Sequence, residues 1–80
     1  MRTRKETPGT KNLIGRNIYR RRIELGIKQK DLLARLQTRG VDLCISSLSK
    51  IEGQTRFVSD IELKAIADAL QMTADELLHE

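Results

Sequence analysis

From residue 13 onward, apolar residues return every three or four positions with polar residues between them, the spacing of a single buried stripe on a helix. Leu13 to Leu25 aligns Ile14, Ile18 and Leu25, and Gly26 stands where a left-handed residue would end the helix. Gln29 to about Arg39 carries Leu32, Leu33 and Leu36 at helical spacing, with Gly40 as the next stop. Ser46 to Glu52 brings Leu48 and Ile51 onto one face, and a helix that short holds only by packing on its neighbours. Ser59 with Glu62 forms a capping box ahead of Leu63, Ile66, Ala67 and Leu70; Thr73 with Glu76 forms a second ahead of Leu77 and Leu78. No strand alternation or internal repeat competes, so the pattern predicts an all-α domain of five helices over residues 13–80. Residues 1–12 have no apolar period and contain Thr7-Pro8-Gly9, a turn signal, and read as a flexible basic N-terminal arm.

Composition sharpens this reading. With Tyr19 and Phe57 as the aromatic residues and no Trp, the core must be built from Leu, Ile, Val, Ala and Met, which suits packed helices. The net charge of +4 is unevenly spread: residues 1–12 carry +3, residues 13–56 carry +6 and residues 57–80 carry −5. A basic stretch followed by an acidic one is compatible with a phosphate footprint, because each cation placed on a phosphate releases condensed counterions. On charge alone, an ordinary solvated surface is the preferred reading.

Cys44 is the one cysteine, which excludes a disulfide framework and a thiolate zinc cluster. There is neither an apolar leader nor a membrane-length apolar run, so a cytoplasmic protein is expected. His79 is the one histidine, and no Ser, Cys or carboxylate has a partner spaced for nucleophilic or acid–base chemistry; no enzyme, cofactor, metal or small-molecule ligand is expected.

At roughly 100° per residue, Leu48 and Ile51 face inward on the third helix while Ser46, Ser49 and Lys50 face outward. Short hydroxyls and a flexible cation suit close approach to base edges and phosphates.

The chain from about residue 13 to 78 resembles the Cro and phage-repressor (XRE-like) helix-turn-helix family. The resemblance is carried by Arg22, Gly26, Ile27 and Gln29, then Leu32, Leu36, Leu48 and the Ile51-Glu52 pair. It continues through Leu63, Ile66, Ala67 and Leu70 to the Asp75-Glu76-Leu77-Leu78 ending. It implies a five-helix lambda-repressor-like DNA-binding domain whose third helix enters the major groove. On that basis Ile45, Ser46, Ser49 and Lys50 fall to the bases and Gln29 to DNA backbone or outer base edges. Lys28, Lys30, Arg39 and Arg56 are candidates for further phosphate contacts. Arg22 and Glu52 are implied to form a structural ion pair tying the first helix to the end of the third. The implied function is a sequence-specific transcriptional regulator, a repressor by preference, binding an inverted repeat as a two-fold homodimer. Helix 5 and the loop before it would supply the dimer interface, with Met72, Leu77 and Leu78 as candidates that could instead close the core.

The sequence departs from the family in three ways. The turn between the second and third helices is lengthened through Gln37 to Leu43, and Leu33 stands where the family prefers Ala. Cys44 occupies the usual capping Ser, so Asp42 is a candidate cap and Cys44 is read as a buried structural residue in preference to a reactive thiol. Ile45 offers a thymine methyl only apolar contact, or it contacts another protein. The rival reading is therefore a protein-interaction or antitoxin-type adaptor subunit of the same fold.

Overall fold

The computed structural model describes residues 9–79, and among them are five α-helices and no strand. These are α1 (Gly15–Leu25), α2 (Gln29–Gln37), α3 (Ile45–Glu52), α4 (Asp60–Ala69) and α5 (Ala74–Leu78). The all-α expectation therefore holds. No described helix is long and apolar enough to cross a membrane.

Both predicted capping boxes form. Ser59 Oγ accepts from the Glu62 N–H at 3.1 Å while Glu62 Oε1 accepts from the Ser59 N–H, and Thr73 with Glu76 repeats the exchange. The helix stops share one geometry. At Gly26, the N–H of Gly26 reaches the Ile23 carbonyl at 3.0 Å and that of Ile27 reaches Arg22 at 3.2 Å, the paired bonds of a Schellman motif. Gly40 and Val41 make the same pair onto Gln37 and Leu36. The two glycines sit at φ 71° and 82°, where a Cβ would be strained. Helices α3 and α4 end alike, on Gln54 (φ 64°) and Gln71 (φ 61°), two positions that no periodicity marks.

Among the described residues, the large side chains that are wholly buried are Ile18, Leu32, Leu36, Leu48, Ile51, Ile66, Leu70 and Leu77. α1 packs on α3 and α5, α2 on α3 and α4, and α4 on α5. Gly15 lies where α1 meets α3, and an added Cβ there would run into the Ile51 carbonyl oxygen. The C-terminus of α4 has no basic residue of its own. Arg21 of α1 donates instead to the Leu70 carbonyl at 3.1 Å, and Arg35 of α2 to the Ala69 carbonyl at 2.9 Å. Two elements thus place cations at the negative end of a third.

Three expectations change. α1 starts at Gly15, not Leu13, because Asn12 Oδ1 takes the Ile14 and Gly15 N–H groups at 3.1 and 2.8 Å. Leu77 closes the core at 0 % exposure and is no interface candidate, while Leu78 is 40 % exposed and Met72 lies half-buried against the core. Of the proposed arm, residues 1–8 lie outside the described residues. Residues 9–12 are held, with the Gly9 and Lys11 N–H groups each 3.0 Å from the carbonyls of Gly53 and Gln54.

Gln71 is exposed, so replacing it loses no packing. Relief of left-handed strain, offset by glycine's greater unfolded-state freedom, should make Gln71→Gly more stable by about 0.5–1 kcal/mol in urea unfolding. A loss of stability would count against the strain argument.

Candidate nucleic-acid interface

α2 begins beside α3, and one amide joins them. Gln29 Nε2 donates to Ser49 Oγ at 3.2 Å and to Glu52 Oε1 at 3.1 Å. Glu52 in turn receives Arg22 through two bonds, Nε to Oε2 at 2.8 Å and Nη2 to Oε1 at 3.1 Å. The third nitrogen of Arg22 meets the Ile27 carbonyl at 3.1 Å, and its guanidinium lies 5.4 Å from the Tyr19 ring centre. With side chains 9 % and 8 % exposed, the pair is buried and geometrically complete. The predicted Arg22–Glu52 pairing is present, and it sets the rotation of α3 against α1 and α2.

That rotation leaves Ile45, Ser46, Ser49 and Lys50 on the outside, with Ile45 52 % exposed, while Leu48 and Ile51 point into the core. Lys28 and Lys30 are exposed at the start of α2, next to this face through Gln29. Lys28 is the N-cap of α2, and its N–H donates to Asp31 Oδ2 at 2.9 Å, which places a carboxylate at the helix start.

The remaining candidates lie apart. Arg39 follows the far end of α2 and bonds locally to the Arg35 carbonyl and Thr38 Oγ1. Arg56 forms a two-bond pair with Glu62 at 3.1 and 3.2 Å. That hydrogen bonding holds the Glu62 carboxyl below its ordinary pKa and raises Arg56 above its own. A guanidinium so compensated attracts a phosphate less than a free one.

Cys44 overturns its expected burial: it is exposed. In the lengthened turn Val41, 6 % exposed, and half-buried Leu43 take the inward places, so the next residue is turned out. Asp42 does not cap α3; its Oδ1 accepts from Gln37 Nε2 at 3.4 Å, and Cys44 itself is the N-cap residue. The Ser46 hydroxyl lies 3.2 Å and the Ser47 hydroxyl 3.4 Å from the sulfur. Hydrogen bonds from Ser46 and then Ser47 hold the thiol pKa down at about 6, from 9.0.

Asn12 is a positioning residue that sequence reasoning missed. Besides starting α1, it donates through Nδ2 to the carbonyls of Ile51 at 3.2 Å and Arg56 at 2.8 Å. One side chain thus closes the end of α3 against the lead-in to α1. Its only signal was an Asn ahead of an apolar period, a helix-start residue in its own right. Buried Asn17 was likewise missed; it donates to the Leu77 and His79 carbonyls and anchors α5 to α1. Comparison with known protein families, curated proteins and solved structures finds no match to this chain.

Two outcomes follow. Glu52→Ala leaves Arg22 buried without its carboxylate and should cost about 3–5 kcal/mol in equilibrium unfolding; a cost under about 1 kcal/mol would show that the pair does not hold the helices. Alkylation of Cys44 by iodoacetamide should gain rate as pH rises through about 6, where the thiolate forms. A midpoint near 9 would mean that Ser46 and Ser47 do not stabilise the thiolate.

Proposed function

We propose that this chain is a sequence-specific double-stranded-DNA-binding transcriptional regulator, acting as a repressor in the cytoplasm. In this reading the five helices form a lambda-repressor-like domain of the Cro and phage-repressor type, with α2 and α3 as its helix-turn-helix. α3 enters the major groove, and two copies bind an inverted repeat with half-sites about one helical turn, roughly 34 Å, apart.

The observation that carries the reading is the Gln29 amide bridge. It makes the start of α2 and the outer face of α3 one exposed polar surface, with Lys28, Lys30 and Lys50 around it. Ser46 and Ser49 are short enough to bond base edges, Lys50 reaches a base or phosphate, and Ile45 packs on a thymine methyl. Lys28 and Lys30 hold phosphates, with Gln29 between them presenting its free carbonyl side to the duplex. The +9 charge of residues 1–56 supplies the long-range attraction. Arg56, compensated by Glu62, is given no DNA role.

The half-exposed Ile45 on this face and the −5 charge of residues 57–80 favour the second reading, an adaptor or antitoxin-type subunit with a polypeptide partner. Selection of bound duplexes from a random pool separates the two. The regulator reading requires a palindrome, an affinity that falls steeply with salt, and weaker binding by Lys50→Ala, with a salt slope smaller by about 1 if Lys50 meets a phosphate. A pool without enrichment and salt-insensitive retention would favour the polypeptide partner.

A further inference from the structure

We propose that the outward face of α1 docks an acidic amphipathic helix of a polypeptide partner, with Arg16 and Arg20 on its carboxylates and Tyr19 and Ile23 on its apolar side chains. Tyr19 and Ile23 are 53 % and 54 % exposed, and both arginines are exposed.

Helical spacing makes these four residues one surface. With Ile18 at zero, the buried Ile14, Gly15, Asn17 and Arg22 fall within about 100° of it, whereas Tyr19, Ile23, Arg16 and Arg20 fall between about 100° and 200°. The stripe thus turns away from α3 and α5, against which α1 packs. It has two rows, each with members one turn and roughly 6 Å apart: the apolar Tyr19 and Ile23, and beside them Arg16 and Arg20. The apolar row starts from a fixed ring, since Tyr19 lies 5.4 Å from the Arg22 guanidinium and Glu52 holds that group. Little order is lost there on docking.

Charge selects the occupant. α2, α4 and α5 each carry an acidic residue in the first turn, which suits the positive end of the helix dipole. α1 has no acid there and carries Arg16 instead, a placement that is unfavourable until an anion meets it. Glu24 stands at the α5 edge of the stripe and is held by Arg21 at 3.5 Å. Asp75 and Glu76 of α5 share the cleft between α1 and α5 with Arg20 and Glu24, so a partner's carboxylates are drawn chiefly to the Arg16 end. A helix with carboxylates one turn apart beside apolar residues at the same spacing matches both rows at once. A phosphate backbone matches the arginines but leaves Tyr19 and Ile23 without apolar partners, and two such side chains are too few to seat a helix in a bilayer.

Four side chains fall short of the roughly 800 Å² per partner of a standard interface, so the contact is weak, with Kd on the order of 100 μM. It is independent of both readings of the α3 face, because none of its residues lies on α3.

NMR titration of the full chain with a synthetic helical peptide of about fifteen residues, Leu and Glu each repeating one turn apart on the same face, tests the assignment. The amide resonances of α1 should shift, with Kd on the order of 100 μM. Peptides with Ser for every Leu, or Lys for every Glu, should bind at least about tenfold more weakly. Arg16→Glu and Ile23→Ser should each weaken binding by at least about fivefold with helical content and melting temperature unchanged, and Ile61→Ser should leave it as it is. No binding up to about 2 mM, shifts centred on residues 45–50 or 57–61, equal binding of the Lys peptide, or indifference to both variants would overturn the proposal. A duplex or an anionic phosphatidylglycerol vesicle that shifts α1, and does so less in both variants, while the peptide does not bind, would assign the face to nucleic acid or lipid and overturn it as well. A chain that holds the peptide and selects no duplex would instead overturn the DNA reading and leave this contact standing.

Discussion

The arrangement of the first three helices depends on the buried Arg22–Glu52 pair. Each of the three guanidinium nitrogens makes a hydrogen bond: two go to Glu52 and one to the Ile27 carbonyl, and the flat face lies over Tyr19. Glu52 is shared with Gln29, so residues from α1, α2 and α3 meet at one carboxylate. Burying two charges is costly unless the geometry is good and the remaining hydrogen-bonding groups are satisfied, and both conditions hold here. Rotation of α3 by one residue, about 100°, would remove Glu52 from Arg22 and bring Leu48 toward water. The pair and the apolar stripe therefore specify the same orientation, and the outward face of α3 follows from it.

The same device recurs across the domain, and it changes what the charge means. Arg21 and Arg35 neutralise the carbonyl end of α4, Arg22 pairs with Glu52, and Arg56 pairs with Glu62. The +6 of positions 13–56 already cancels Arg22 against Glu52; Arg21, Arg35 and Arg56 are in addition committed to partners within the fold, so that figure overstates the charge offered to a partner. The cations that face outward beside α3 are Lys28, Lys30 and Lys50. These are lysines, flexible point charges suited to phosphate, whereas the inward positions are filled by arginine, whose planar fork bonds two oxygens at once.

What was legible in the sequence is what local chemistry decides. Gly26 and Gly40 announced their turns, Ser59 and Thr73 announced their helices, and the spacing of Leu48 and Ile51 separated the inside of α3 from its outside. Arg22 and Glu52, thirty positions apart, were paired through the family resemblance, because no local pattern links them. The left-handed Gln54 and Gln71 were invisible, since neither helix stop carries the glycine that would mark it. The exposure of Cys44 depended on the path of the lengthened turn. Once Val41 bonds back to the Leu36 carbonyl and drops into the core, and Leu43 packs beside it, the thiol is left facing water. The same nonlocal reason hid Asn12, whose role appears only when the end of α3 and the start of α1 are folded together.

That turn also bears on how a phosphate backbone would meet the proposed surface. A helix start ordinarily attracts an anion through its free N–H groups and the positive end of its dipole. At the α2 start the Asp31 carboxylate already takes the Lys28 N–H, and at the α3 start the hydroxyls of Ser46 and Ser47 lie on the Cys44 sulfur and hold its pKa low. A helix start that already holds a carboxylate is a poorer phosphate site, and in the proposed reading the attraction comes chiefly from Lys28, Lys30 and Lys50. Side-chain cations act by releasing counterions, so a duplex held by them responds more steeply to salt than one held by neutral amide donors. The lengthened turn thereby does more than separate two helices. By placing Val41 in the core it seats α3 on its neighbours, and in the DNA reading it leaves the electrostatic part of binding chiefly to three lysines.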